Sequence, residues 1–81
     1  MGTIKMYTTP WCGDCRRAKA FLRARGIAYE EINIEESPGA AELVTRQNRG
    51  RRKVPTFEAE GRFFDCSPFD AERLRRELKL D

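Results

Sequence analysis

Histidine is absent from the 81-residue sequence and cysteine occurs only three times, and each shortage excludes a kind of site. A structural zinc ion needs four ligands, usually from cysteine and histidine, so a closed zinc site within this chain would have to recruit a carboxylate. Because three is an odd number, the cysteines cannot form the complete disulfide framework of a small secreted protein. The sequence therefore predicts free thiols and no metal site.

Long apolar segments are missing as well. No run approaches the ~18 apolar residues that identify a membrane span, and residues 1–10 lack the basic start, apolar middle and small-residue cleavage site of a signal peptide. These absences predict a protein without a membrane partner that resides in the cytoplasm, where thiols stay reduced. The length predicts one domain, residues 1–81, with a small core.

Charged side chains are plentiful, and the cations are unevenly placed. Lys and Arg number 16 against 13 Asp and Glu residues, which gives a net charge of +3. We define the cation cluster as Arg46, Arg49, Arg51, Arg52 and Lys53. It either attracts phosphate and carboxylate groups or forms a solvated loop. Since no aromatic residues interleave with it and no nucleic-acid motif is present, we expect no nucleic-acid partner.

Apolar residues recur alternately at strand and helix spacing, which predicts an α/β fold with the order βαβαββα. The predicted strands cover residues 3–7, 27–34, 56–59 and 62–64, and a hairpin turn at Glu60-Gly61 joins the last two. The second strand breaks strict alternation, which predicts burial on both of its faces. The predicted helices begin at residue 12 or 13, at a Ser37-Pro38 cap, and at a Ser67-Pro68 cap with Asp70 in the capping-box position.

Cys12 and Cys15 follow the first strand and lie at the start of the first helix. The free backbone N–H groups and the positive end of the helix dipole favour a thiolate at Cys12. Cys15, one turn later, points the same way but lies deeper. The pair is half of a zinc motif, but the missing ligands favour redox chemistry. We expect Cys12 to attack a substrate disulfide and Cys15 to resolve the mixed disulfide.

A second informative segment is Lys53-Val54-Pro55-Thr56, at the start of the third strand. Proline fits poorly inside a sheet, so Pro55 indicates an edge, a bend or a cis peptide bond.

Together these segments resemble the glutaredoxin family, on residues 7–15 with the run Trp-Cys-Gly-Asp-Cys, residues 27–34 and Val54-Pro55. The resemblance covers nearly the whole chain. It implies a thioredoxin-like fold, in which three helices flank a four-stranded mixed sheet, and the activity of a thiol–disulfide oxidoreductase. It also implies a cis bond before Pro55, beside the thiols, with the backbone of Val54 pairing with the extended substrate.

The resemblance implies further substrate-binding residues around the thiols. Trp11 is expected on the exposed rim, where it covers the mixed disulfide, and a core position is the alternative. Lys53 and Ser67 fall at substrate-binding positions. Cys66 falls near the site, either as a small buried side chain or as a third reactive thiol.

The reductant stays open among three groups of relatives. Members that use glutathione commonly have Lys at the position of Thr9 and a Gly-Gly-Ser/Cys-Asp segment where residues 65–68 read Asp-Cys-Ser-Pro. Thr9 and the Trp-Cys-Gly run are similar to mycoredoxins, which use mycothiol. Redoxins that are reduced by thioredoxin reductase and serve ribonucleotide reductase form the third group. In each case the expected partners are a low-molecular-weight thiol or a reductase together with disulfide-containing proteins, and the chain is expected to be a monomer without a bound cofactor.

Two other functions compete with disulfide reduction. In an iron–sulfur cluster carrier, Cys12 of two chains would ligate the cluster together with two small thiols. Relatives that carry clusters often have Ser at the second cysteine position, so Cys15 disfavours this function. The second competitor is a binding module with an inactive cysteine pair.

Overall fold

The computed structural model of the chain contains four strands and three helices among residues 3–80, which are the residues that it describes. The elements are β1 (Lys5–Thr8), α1 (Gly13–Ala24), β2 (Glu30–Asn33), α2 (Ala40–Gln47), β3 (Thr56–Ala59), β4 (Arg62–Asp65) and α3 (Ala71–Glu77). The predicted order βαβαββα is therefore confirmed. The predicted domain also includes residues 1, 2 and 81, which lie outside the described residues. Within the described range no helix has the length and apolar character needed to cross a membrane.

The strands form a mixed sheet in the order β2-β1-β3-β4. β1 pairs in parallel with β2, where Tyr7 lies opposite Ile32, and antiparallel with β3, where Met6 lies opposite Phe57. β3 and β4 form the predicted hairpin. Its turn residues, Glu60 and Gly61, have φ angles of 53° and 79°, as a two-residue type I′ turn requires. The carboxyl end of the inner strand β1 leads directly to the two thiols.

The sheet separates two apolar clusters, because successive side chains of a strand point to opposite faces. On one face, Met6 packs with residues of α1 and α3, including Leu22 and Leu74. On the other face, Tyr7 packs with Val44 of α2. The thiols belong to the first face, where Cys15 and Cys66 are buried and Cys12 packs against them: the thiol-face cluster comprises Met6, Cys15, Ala18, Leu22, Phe57, Phe64, Cys66 and Leu74.

The predicted burial of the second strand on both faces is wrong. β2 covers only residues 30–33 and lies at an edge of the sheet, with β1 as its neighbour. Glu30 and Glu31 are exposed, and Ile32 is half-buried. An edge strand of an α/β sheet needs less apolar surface than an inner one, and in this chain the burial falls on β1, whose Met6, Tyr7 and Thr8 are all buried.

Both predicted Ser-Pro caps are also wrong. The residue that caps α2 is Gly39, whose φ of 80° is the left-handed conformation that glycine adopts without a steric penalty. Asp70 caps α3 directly, and its carboxylate accepts hydrogen bonds from the N–H groups of Glu72 and Arg73 at 3.0 and 3.2 Å. An aspartate at the N-cap satisfies two free N–H groups, and this places the N-cap three residues after Ser67.

The cis bond that the resemblance implied before Pro55 is present. A second one, which the sequence did not predict, precedes Pro68.

Candidate active site

Cys12 is the N-cap residue of α1. Its φ and ψ angles of −89° and 111° are extended, so its side chain turns back over the first turn of the helix. There Sγ accepts a hydrogen bond from the N–H of Cys15 at 2.9 Å. As a thiol, Cys12 also donates to the carbonyl oxygen of Val54, 3.6 Å away. The prediction that Cys12 lies at the start of the helix is therefore confirmed. The N–H dipole of Cys15 points its positive end at the sulfur of Cys12.

Cys15 is fully buried beneath Cys12, in the thiol-face cluster. Burial, followed by the hydrogen bond with Cys12, raises the pKa of Cys15 to about 12, although a hydrogen bond with the backbone of Thr9 and the charge of Lys19 act in the opposite direction. At neutral pH the deeper sulfur is consequently a thiol. Cys12 is half-buried whereas Cys15 is fully buried, as a nucleophile and a resolving thiol require.

A groove of about 560 Å³ opens at Cys12, and we call it the dithiol groove. It brings together five of the eight predicted site residues: Trp11, Cys12, Lys53, Val54 and Ser67. Thr9, Asp14, Glu35 and Arg52 contribute further polar side chains to its wall. Pro55 is buried directly behind Val54, and its carbonyl oxygen accepts from the N–H of Cys66 at 3.0 Å. These contacts fix Val54 next to the reactive sulfur.

Trp11 lies at the rim of the dithiol groove, and 69% of its surface is exposed. The alternative prediction of a core tryptophan is thus wrong. Because its ring is exposed and lies in the same groove as Cys12, Trp11 offers apolar surface to a substrate bound at the sulfur.

Cys66 belongs to the thiol-face cluster and has no exposed surface. Its Sγ donates to the carbonyl oxygen of Asp70 at 3.5 Å and accepts from the N–H of the same residue at 3.3 Å. Burial raises the pKa of its thiol, although the hydrogen bond to Asp70 opposes this. Of the two roles that the sequence left open, the structure favours the small buried side chain.

The carboxylate of Asp65 lies close to two cations. Lys53 and Arg73 lie 3.7 and 3.9 Å from its carboxylate oxygens, and the same carboxylate accepts from the N–H of Ser67 at 3.2 Å. The charge of Asp65 is thus offset locally, and it orders the segment that carries Ser67.

Sequence reasoning missed the role of Asp14, the second residue between the cysteines. Its Oδ1 accepts from the N–H of Phe69 at 3.1 Å and from Arg17 at 3.0 Å. The first bond joins the start of α1 to the segment before α3. No local pattern signals a contact between positions 55 residues apart.

Among residues 3–80 no three Cys, Asp or Glu side chains converge in a way that could hold a metal ion.

A sheet of order β2-β1-β3-β4 flanked by three helices, with a cysteine pair at the start of α1 and a cis-proline opposite, defines a thioredoxin-like dithiol protein. A family model described as Glutaredoxin matches residues 4–64. This chain belongs to the glutaredoxin family.

Individual relatives agree with this assignment. A Mycobacterium tuberculosis protein named as a glutaredoxin is 51% identical over 55 residues, which are 68% of this chain and 66% of that protein, just under two thirds of its length. A glutaredoxin of Pseudomonas aeruginosa is 33% identical, and the alignment covers 100% of this chain and 94% of that protein. Among solved structures, the glutaredoxin-like NrdH-redoxin of Escherichia coli is similar with a TM-score of 0.75 and 28% identity, covering 91% of this chain and 92% of that one.

Proposed function

We propose that this chain is a thiol–disulfide oxidoreductase that reduces mixed disulfides of proteins and low-molecular-weight thiols through Cys12 and Cys15. The observation that carries the proposal is the arrangement of the two sulfurs. Half-buried Cys12 lines the dithiol groove and its Sγ accepts a hydrogen bond from the N–H of Cys15 at 2.9 Å, and the Cys15 thiol lies fully buried beneath it. Membership of the glutaredoxin family supports the same chemistry.

The reaction consists of two thiol–disulfide exchanges. The Cys12 thiolate attacks one sulfur of the substrate disulfide, which forms a mixed disulfide and releases the other sulfur as a thiolate that takes a proton from water. Cys15 then loses its proton and attacks Cys12 Sγ. This step forms the Cys12–Cys15 disulfide and releases the second substrate thiol. The two electrons come from the two cysteines themselves, so the reaction needs no resident cofactor.

Substrate placement follows from the walls of the dithiol groove. The backbone of Val54 adjoins the reacting sulfur, since its carbonyl oxygen lies 3.6 Å from Cys12 Sγ. An extended peptide that carries the disulfide pairs with this backbone. Arg52 and Lys53 offer cationic groups to the carboxylates of a peptide-like thiol, while Trp11 covers the mixed disulfide and Ser67 adds a hydroxyl to the same groove. Glutathione or a similar small thiol is the co-substrate that this family uses, and a reducing cytoplasm supplies it.

Reduction of a small mixed disulfide tests the catalytic assignment. We expect the native chain to turn over, Cys12→Ser to be inactive, and Cys15→Ser to retain reduction of substrates that a second small thiol can resolve. Turnover of Cys12→Ser at the native rate would contradict the assignment.

A second candidate reductant is thioredoxin reductase, because the chain is similar to an NrdH-redoxin described as having a thioredoxin-like activity profile. Redoxins of that kind serve ribonucleotide reductase. A side-by-side assay with glutathione and its reductase, mycothiol and its reductase, and thioredoxin reductase alone separates the three possibilities. The arm that sustains turnover at the lowest concentration of reductase identifies the partner.

A further inference from the structure

A second groove, of about 700 Å³, lies along β4, and we call it the edge groove. β4 is the last strand of the sheet, with β3 as its neighbour on one side. The residues used below come from the segment after α2, from β4 and from α3: Arg49, Arg51, Lys53, Phe63, Asp65 and Arg73. Apart from Lys53, none of these residues lines the dithiol groove.

The free side of β4 offers backbone hydrogen-bonding groups. Ala59 and Arg62 pair directly across the two-residue turn, and Glu58 pairs with Phe63 next. Because hydrogen-bonded and non-bonded pairs alternate in an antiparallel ladder, the N–H and C=O groups of Phe63 and Asp65 point away from β3. An extended peptide can add to such an edge as a further strand.

The charge of the edge groove selects the kind of peptide. Arg49 and Arg51 are exposed, and neither has an ion-pair partner among residues 3–80. The two carboxylates in the groove are already paired, Asp65 with Lys53 and Arg73, and Glu77 with Arg62 at 3.1 Å. The cations that stay available therefore favour acidic side chains.

Lys53 lines both the edge groove and the dithiol groove, so the two grooves are neighbours on the surface. We propose that the edge groove docks an acidic, extended segment of the protein that carries the disulfide, with β4 as its pairing strand. This inference rests on the proposed function, since it names a class of protein substrate for the same site. It also explains why the cation cluster divides: Arg49 and Arg51 face the edge groove, whereas Arg46 lines neither groove.

The test compares two peptides of equal length, each with one cysteine joined to 2-mercaptoethanol as a mixed disulfide. One has Glu at alternate positions beyond the cysteine, and the other has Gln there. At low salt we expect kcat/KM of the native chain to be about fivefold higher for the Glu peptide, since exposed ion pairs contribute about 1 kcal/mol together. The double variant Arg49→Gln, Arg51→Gln should remove this preference, while Arg46→Gln keeps it.

Bis(2-hydroxyethyl) disulfide serves as the uncharged reference substrate, and its reduction should be unchanged in all variants. If the native chain fails to reduce it, the proposed function is wrong. If the native chain reduces it but shows no preference for the Glu peptide, or loses the preference equally in Arg46→Gln, the docking proposal alone is wrong.

Backbone pairing has its own readout in amide chemical shifts. The Glu peptide, in a form with Ser in place of its cysteine, should shift the N–H signals of Phe63 and Asp65, and N-methylation of its alternate amides should abolish these shifts. Shifts confined to the dithiol groove would overturn the proposal. A dimer of the chain that protects the Phe63 N–H without peptide would assign the edge groove to a second copy and would overturn it as well.

Discussion

Cys12 and Cys15 are one helical turn apart, yet their surroundings differ completely. Cys12 is held in an extended conformation at the N-cap, where a helix offers unpaired N–H groups, and it is half-buried and lines the dithiol groove. Cys15 is the first residue of α1 that faces the sheet, and it packs in the thiol-face cluster. The different roles of two identical side chains thus follow from the position at which the helix begins.

Selective alkylation tests this difference. With iodoacetamide at pH 7, we expect the reduced native chain to take up one label, at Cys12, as mass spectrometry would show. Cys15 and Cys66 should stay unlabelled, because both are buried and burial raises the pKa of each, so that both stay thiols well above neutral pH. Cys12→Ser should take up no label in the same time, and rapid labelling of this variant would contradict the assignment.

We expect Asp14 to contribute more to the free energy of unfolding than a partly exposed side chain usually does. Asp14→Ala removes the acceptor of the Phe69 N–H and should lower the free energy of unfolding by about 1 to 2 kcal/mol. Arg17→Met is the matched control, because it removes only the exposed ion pair and should cost less than about 0.5 kcal/mol. Urea unfolding measures both. Equal losses in the two variants would show that the Phe69 bond contributes nothing.

At the scale of elements, the sequence predicted what depends on local chemistry. The prediction of a turn at Glu60-Gly61 was correct. A type I′ turn needs two neighbouring residues that accept a positive φ, and the identity of these two residues can be read directly from the sequence. The prediction that β2 is buried on both faces was wrong, because burial depends on the place of a strand in the sheet. The contact from Asp14 to Phe69 was invisible for the same reason, since it exists only after α1 and α3 have packed on one face.

The predictions of helix starts were less reliable than those of turns. An N-cap depends on local sequence, but several neighbouring residues can often serve as the N-cap. Ser67 and Asp70 are both good N-cap residues, and Asp70 is the one whose carboxylate bonds the first N–H groups of α3. The cis bond at Pro55, by contrast, was predicted from the family resemblance, since the local sequence alone left three interpretations open.

The capping role of Asp70 gives an element-scale prediction. Asp70→Ala should lower the free energy of unfolding by about 1 kcal/mol, because two N–H groups of α3 lose their acceptor. Asp70→Ser keeps an acceptor oxygen and should recover most of the loss. Chemical denaturation of the two variants beside the native chain is the measurement. If serine and alanine are equally destabilising, the side-chain cap is not what stabilises α3.

For the whole molecule, the sheet divides the chain into a face that carries the thiols and a face that does not. A chain of this size buries only about 60% of its extended surface, so each cluster is small and single side chains matter. α3 has one fully buried side chain, Leu74, in the thiol-face cluster, and α2 has Val44 in the opposite cluster. The packing of α3 therefore controls access to the third cysteine.

Truncation on the two faces should separate stability from thiol access. Leu74→Ala leaves a cavity in the thiol-face cluster and should cost about 2 to 5 kcal/mol, whereas Val44→Ala should cost about 2 kcal/mol on the opposite face. Because Cys66 packs with Leu74, we expect its alkylation to accelerate in Leu74→Ala and to accelerate much less in Val44→Ala once rates are corrected for the fraction of unfolded chain. The measurement is label uptake at Cys66, with Cys12 already replaced by serine so that the surface thiol does not interfere. Equal corrected rates in the two variants would mean that Cys66 becomes accessible only by global unfolding, and that the two faces open as one cooperative unit.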